Sequence, residues 1–386
     1  MRLLFLCGAL AFGEWMASLY PSACTTYPIF LFLGVVLALY LHAFSFPYWQ
    51  VVFMAFLGVA LYFYAVSSRA EEYKLSPWVR HGRKRIEFRQ PSPVKKDIST
   101  RIGVGLDHCR EIASINRAIL LGERRALPRE LSKAFVDAGT IHIFAVSGLH
   151  VMVIAKTLMV LLMLILVPQR IAGVVSLIPL WWYITLVGSP PSAVRAGVMA
   201  SLNMLALLFW RESDSLRSWA ITFLLVHLID PKMIADVGCN LSFMVMLALV
   251  LASRGAKFFH GWLAEAAFFS VVAWAAGTPI SANVFGRVTP GGLLANLVLL
   301  PAAGISVSVG ALGVMASYIS QKIGAHLNNL SALTTSAMSL LSSAVSSLPM
   351  SSYKTLPWNP LVCAIWYFAL FALLACLTRK KRHRCI

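Results

Sequence analysis

Apolar runs recur along the chain at the length of a membrane span, which takes about 20 mostly apolar residues. Residues 28–46 and 47–66 fit this length and divide at Pro47. Residues 2–20 read as a further span weakened by Glu14, or as a signal-like segment without a small-residue cleavage site. Beyond a polar interval the runs return at 151–168, 171–188, 191–210, 216–229, 236–252, 264–284, 291–318, 326–349 and 360–378. The pattern predicts an all-α polytopic membrane protein with about ten to eleven transmembrane helices.

The polar interval, residues 67–134, holds 16 Lys or Arg against 8 Asp or Glu. Ile102, Ile112, Ile115, Ile119 and Leu120 keep helical spacing there, which predicts an amphipathic surface helix beside the membrane. "GERRALPRE" then reads as a turn, and Leu131, Ala134 and Phe135 open the next helix. Four parts follow: N-terminal spans over 1–66, a basic segment over 67–134, a main body over 135–378 and a basic tail over 379–386.

Several spans of the body are interrupted by Gly or Pro next to polar residues. The interruptions are "VGSPPSAVRAG", "IDPKMIADVGCNLSF", "AGTPISANVFGRVTPGG" and "LLANLVLLPAAG". Irregular backbone at membrane depth is tolerated only where protein buries it or a water-filled path runs past it. The breaks therefore predict helices arranged around a polar conduit. The small residues of "SALTTSAMSLLSSAVSS" predict close helix packing rather than a pore-lining hydroxyl face.

Composition agrees with the pattern. The chain is 59% hydrophobic and 12% charged, against about a quarter charged in soluble domains. Its net charge of +18 favours anionic partners, although the run Arg379 to Arg384 is also what the positive-inside rule expects. The seven cysteines form no CxxC pair, so no metal centre and no cofactor is expected.

Candidate chemistry begins at "HIFAVSGLH". Ser147 and His150 lie three apart, on one helical face. Such a pair suits a nucleophile and its base, yet no carboxylate lies nearby to orient the histidine. The plainer reading has Ser147 bonded to backbone and His150 to a neighbouring helix. Gly148 is expected to be the break where a helix from about 135 meets one from 151. In "GSPPSAVRAG", Ser192 is a natural N-cap, which puts Arg195 at the start of a helix, where the dipole disfavours a cation. Arg195 then needs a partner, either Asp236 or a passing anion. Asp236, Asn240 and Phe243 share a face. Phe243 and Phe285 are candidate stacking platforms for bases, although packing is the commoner role of a membrane phenylalanine.

In their order and rough spacing these motifs resemble the ComEC-type competence DNA-uptake channel family. The resemblance rests on "DAGTIHIFAVSGLHVMVI", "GSPPSAVRAGVMA", "DPKMIADVGCNLSFMVMLALV" and "GTPISANVFGRVTPGGLLANLVLLPAAG", and covers about residues 110–315. It implies a non-enzymatic inner-membrane channel carrying single-stranded DNA into the cytoplasm during natural transformation. It carries path roles to His142, Ser147, Gly148, His150, Ser192, Arg195, Asp236, Asn240, Ser242, Phe243, Phe285, Gly286, Asn296 and Pro301. Where the family pattern has Phe-Gln, this chain has Cys239-Asn240, which keeps the amide and loses an aromatic ring.

Two family modules are expected to be missing. Residues 67–100 are too few for a complete OB barrel, and no clustered metallo-β-lactamase-type metal motif occurs in the sequence. A separate nuclease, a DNA receptor and a cytoplasmic helicase or single-strand-binding proteins are the partners this implies, besides the bilayer. The resemblance puts residues 67–134 outside the cell, against the positive-inside rule. There Arg80, Arg83, Lys84 and Arg85 would capture DNA phosphates. Two other readings use the same residues: a secondary transporter for a small anion, and an intramembrane serine hydrolase built on Ser147 and His150.

Overall fold

The computed structural model describes residues 92–379 apart from 211–213, 230–235, 256–260 and 350. The spans expected over 1–66, the capture candidates Arg80, Arg83, Lys84 and Arg85, and the tail from 380 lie outside the described residues. The chain divides into two compact units, residues 90–356 and residues 1–89 with 357–386. Within the second, α13 (Pro360–Arg379) carries Trp366 edge-on to Trp358 and Tyr367 stacked on Phe371.

The larger unit opens with α1 (Pro93–Ile102), α2 (Arg110–Leu121) and α3 (Arg129–Asp137). Pro93 stands at the first helical position of α1, and Ser92 Oγ accepts from the Lys95 N–H at 3.2 Å. Gly122, at φ 70°, ends α2 in a left-handed turn. Instead of a surface helix, α2 is a largely buried one: Ile115, Ala118, Ile119 and Leu121 are core residues. Three basic residues here go to helix-end carbonyls. Lys95 Nζ donates to Leu121 O, Arg101 Nη1 to Ser317 O and Arg117 Nε to Ser99 O. Those carbonyls lack intrahelical donors, and a cation there also meets the negative end of a helix dipole.

The remaining elements are α4 (Gly148–Leu164), α5 (Gln169–Val175), α6 (Leu177–Leu186), α7 (Pro191–Leu208), α8 (Ser215–Ile229), α9 (Val237–Gly255), α10 (Trp262–Phe285), α11 (Gly291–Ser317) and α12 (Gln321–Ser346). Among the described residues, α7, α10 and α11 are long and apolar enough to cross a membrane, and four shorter apolar helices accompany them. The expected run 171–188 is two short helices, α5 and α6, meeting at buried Ser176. Pro279 and Pro301 lie inside α10 and α11 without ending them. A proline removes one backbone donor, and packing on neighbouring helices carries the helix past that loss. Between α10 and α11 the chain forms β1 (Arg287–Val288), paired antiparallel with β2 (Tyr353–Lys354).

Helices α4, α7, α9, α10 and α11 pack in a closed circuit, each against the next and α11 back against α4. The faces of α4 follow from its contacts. Gly148 faces α7 at Arg195 and Ala196, while Val153 and Thr157 face α11 at Gly304 and Ser308. Val151, Ile154 and Ala155 enter a buried core that also holds Leu180 and Ile184 of α6. At 100° per residue, one exposed stripe is left between the α7 side and the α11 side: Lys156, Val160 and Met163. That stripe lies on the side of α4 away from α6. Outside the circuit, α12 packs along α11 through Ser306, Ser331 and Thr335, whose hydroxyls lie 3.0–3.2 Å apart. Small residues serve close packing there.

Candidate functional site

The "SGLH" motif sits where α4 begins. Helix α3 ends at Asp137, Gly139 turns the chain at φ 73°, and a short 3-10 helix (Ile141–Phe144) leads to Ser147. Gly148 is thus the first residue of α4, and the break lies before it rather than at it. Two side chains pin the approach: Arg124 Nε donates to Phe144 O at 2.9 Å, and Ser192 Oγ to Val146 O at 2.8 Å. The N-cap of α7 is Pro190, so Ser192 is not the cap its sequence position suggested.

His150 folds back over the start of its own helix. Its Nδ1 accepts from the Ser147 N–H at 3.2 Å and lies 3.0 Å from Ser147 Oγ. An Nδ1 that accepts leaves the proton on Nε2. That Nε2 is buried, with no hydrogen-bond partner among the described residues. The Ser147–His150 distance suits a nucleophile and base, but the Nδ1 lone pair also serves the cap, and among the described residues no carboxylate meets Nε2. His142 is exposed in the 3-10 helix.

Arg195 lies in the second turn of α7 and is only 6% exposed. Its Nε donates to Ser242 Oγ of α9 at 2.8 Å, and Nη1 to Met199 Sδ at 3.6 Å. Nη2 rests on the backbone of Gly148: a Cβ there would stand 3.1 Å from it. Among the described residues Nη2 has no hydrogen bond and the guanidinium no carboxylate. The expected pair with Asp236 does not form; Asp236 Oδ1 instead accepts from the Cys239 N–H at 2.7 Å and caps α9. A buried charge normally demands a partner. Here the cation stands against the first residue of α4, whose backbone N–H groups also favour an anion. The arrangement is suited to one oxyanion.

The other candidates have different surroundings. Phe243 is 2% exposed and packs edge-on against Trp219 and Phe223, with Arg195 Cζ 5.7 Å from its ring. Its ring is enclosed by these packing contacts. The Asn240 N–H bonds to Asp236 O in the first turn of α9. Phe285 ends α10 and is 61% exposed, and Gly286 (φ 61°) turns the chain into β1. Asn296 Oδ1 is buried without a hydrogen-bond partner among the described residues, near Gly292, which packs on the Gly139 carbonyl. Pro301 lies on the exposed side of α11. Hydrogen bonds and close approaches therefore unite Ser147, Gly148, His150, Ser192, Arg195 and Ser242, and none of these contacts reaches Phe285, Gly286 or Pro301.

Sequence reasoning missed Arg124, and it missed Asp137, which pairs with Arg287 Nη1 at 2.5 Å. Asp137 stands at the head of the quoted "DAGTIH" stretch and Arg287 in "FGR", so their placement in two separate motifs was the available signal.

Residues 119–380 match the family model described as competence protein. The chain belongs to that family. It is 25% identical over 212 residues to ComE operon protein 3 of Bacillus subtilis (strain 168), covering 54% of this chain and 27% of that protein. It is 32% identical over 192 residues to an uncharacterized protein of Aquifex aeolicus (strain VF5), covering 49% of this chain and 45% of the other. The matches thus take in less than half the length of either relative. No solved structure matches.

Proposed function

We propose that this chain is a channel of the inner membrane that passes single-stranded DNA into the cytoplasm during natural transformation. The five-helix circuit forms its wall, and the buried guanidinium of Arg195 receives phosphates one at a time. One observation carries the reading: Arg195 is almost wholly buried, among the described residues has no carboxylate, and stands against the start of α4. A fixed cation with a free N–H edge attracts a phosphate through a charge-assisted hydrogen bond. Its single contact lets the phosphate go again, as conduction requires. Ser147 and His150 serve as the cap that shapes the α4 start and not as a catalytic dyad. Membership of the competence protein family supports a role in DNA uptake. A separate nuclease, receptor and cytoplasmic helicase would supply and draw in the strand.

The test is uptake of labelled DNA by a deletion strain complemented with the wild-type chain or Arg195→Gln. Uptake restored by the first and not the second, at equal membrane levels, is the expected result. Restoration of phosphate or sulfate uptake instead of DNA uptake would move the assignment to a small-anion transporter.

A further inference from the structure

Lys156 is the ninth residue of the 17 in α4. The rest of that helix beyond His150 is apolar apart from Thr157, which bonds to Ser308. At 1.5 Å per residue, about 12 Å of helix separates Lys156 from either end. A lysine near a helix end snorkels its ammonium to the membrane surface, but one at the midpoint is too far from both ends to do so. Among the described residues Lys156 makes no hydrogen bond and no ion pair, and it is exposed. With α4 a span of the proposed channel, an ammonium with no partner at its midpoint needs water. Lys156 lies on the exposed stripe of α4 away from α6, and in a closed α4–α7–α9–α10–α11 circuit that side is the one the circuit encloses.

We infer that Lys156 is a second cation on the conduit wall, a further binding residue for the phosphates of the passing strand. This rests on the proposed reading of the circuit as a DNA path. Helices α4 and α7 both start at the Arg195 site, so Lys156 stands about 12 Å along α4 from the level of Arg195. A phosphate leaving Arg195 then meets a second positive charge before it reaches the far end of α4. The two cations differ in kind. Arg195 is fixed by Ser242 and Gly148, whereas Lys156 is a mobile point charge on a flexible stem. Attraction at two separated places, neither of them tight, favours onward movement over trapping.

The test uses the full chain in its host membrane, with the native cysteines replaced and DNA uptake first shown to survive. Lys156→Cys is treated with a charged, membrane-impermeant thiol reagent, then with a lipid-soluble maleimide. The charged reagent is expected to label the thiol at position 156, as it should Val160→Cys on the same stripe and not Ile178→Cys on α6. A single-stranded oligonucleotide at about ten times its Kd should slow that labelling about tenfold. In the native-cysteine chain, Lys156→Gln should lower uptake severalfold and Lys156→Arg should restore most of it. Labelling at position 156 by the maleimide alone would place Lys156 against lipid and overturn the inference. So would full uptake in Lys156→Gln alongside lost uptake in Arg195→Gln, which leaves the channel reading standing. Protection by inorganic phosphate but not by the oligonucleotide would overturn both.

Discussion

Gly148 and Arg195 constrain each other across the α4–α7 contact. The guanidinium lies so close to the glycine that a Cβ would approach Nη2 to 3.1 Å. Glycine is needed here for space, since the backbone of Gly148 is ordinary helix. Gly148→Ala should shift the guanidinium by a few tenths of an ångström and lower DNA uptake modestly. Gly148→Val should displace it and lower uptake about tenfold or more, by loss of an interaction with a charged group. Uptake by deletion strains carrying each variant checks the order. Equal activity of the Val and Ala variants would show that the approach does not matter.

Ser242 sets the direction of that guanidinium through the 2.8 Å bond from Nε. Ser242→Ala removes an acceptor for a buried charged donor, at a cost of about 1.5–3 kcal/mol. Ser242→Thr keeps the hydroxyl and should retain most function. Arg195→Lys loses the Nε donor and the planar fork, so it should rescue poorly even though the charge remains. Full function in Arg195→Lys would mean that a point charge suffices and that Ser242 is incidental.

The loop before Ser147 is held from two sides, by Arg124 at Phe144 O and by Ser192 at Val146 O. Both bonds fix the same short stretch, so their losses should not add. Arg124→Met and Ser192→Ala should each destabilise the purified protein by about 1–3 kcal/mol. The double variant should depart from the sum by at least about 0.5 kcal/mol. Strict additivity in a denaturation series would show that the two bonds act independently.

Far from the site, Tyr318 Oη donates to Asp97 Oδ2 at 2.6 Å, and Arg101 Nε reaches the same oxygen at 2.9 Å. Arg101 also lies over the Tyr318 ring, its Cζ 3.7 Å from the centroid. The hydrogen bond from Tyr318, and then that from Arg101, hold the Asp97 carboxyl below the usual carboxylate range. A depressed carboxyl stabilises the fold fully above its unfolded value near 3.9. That contribution is lost as pH falls through the lower folded value. The melting temperature of the purified protein should therefore fall on this acid limb, and Asp97→Asn should lack this part of the fall. Identical acid limbs for the two proteins would contradict it.

Much of the site was legible in the sequence because its chemistry is local. "SGLH" lies at the start of α4, and Arg195 was singled out as a costly cation at a helix start. The partner was not legible. Asp236 looked like the natural counter-charge, but it serves the first turn of its own helix, four residues before Asn240. Ser192 has the composition of an N-cap, yet Pro190 and Pro191 already start α7 and its hydroxyl is spent on Val146. Arg124 belongs to a charge-rich stretch where nothing marks the carbonyl it serves. Lys156 is hidden for the opposite reason: one lysine in an apolar run reads as a blemish until the neighbours of α4 are known. The polar interval misled because α2 is packed on all but its first turn, and helical spacing gives the period of a face but not what covers it.

The central claim, that a DNA strand runs inside the five-helix circuit, is tested most directly by photocrosslinking during uptake. Val160 lies on the exposed stripe of α4 that carries Lys156, and Ile178 lies exposed on α6, which is not part of the circuit. A photoreactive phenylalanine analogue at position 160 should crosslink to an incoming labelled strand, while the same residue at position 178 should not. Crosslinking at 178 but not at 160, in cells that take up DNA normally, would show that the strand travels elsewhere.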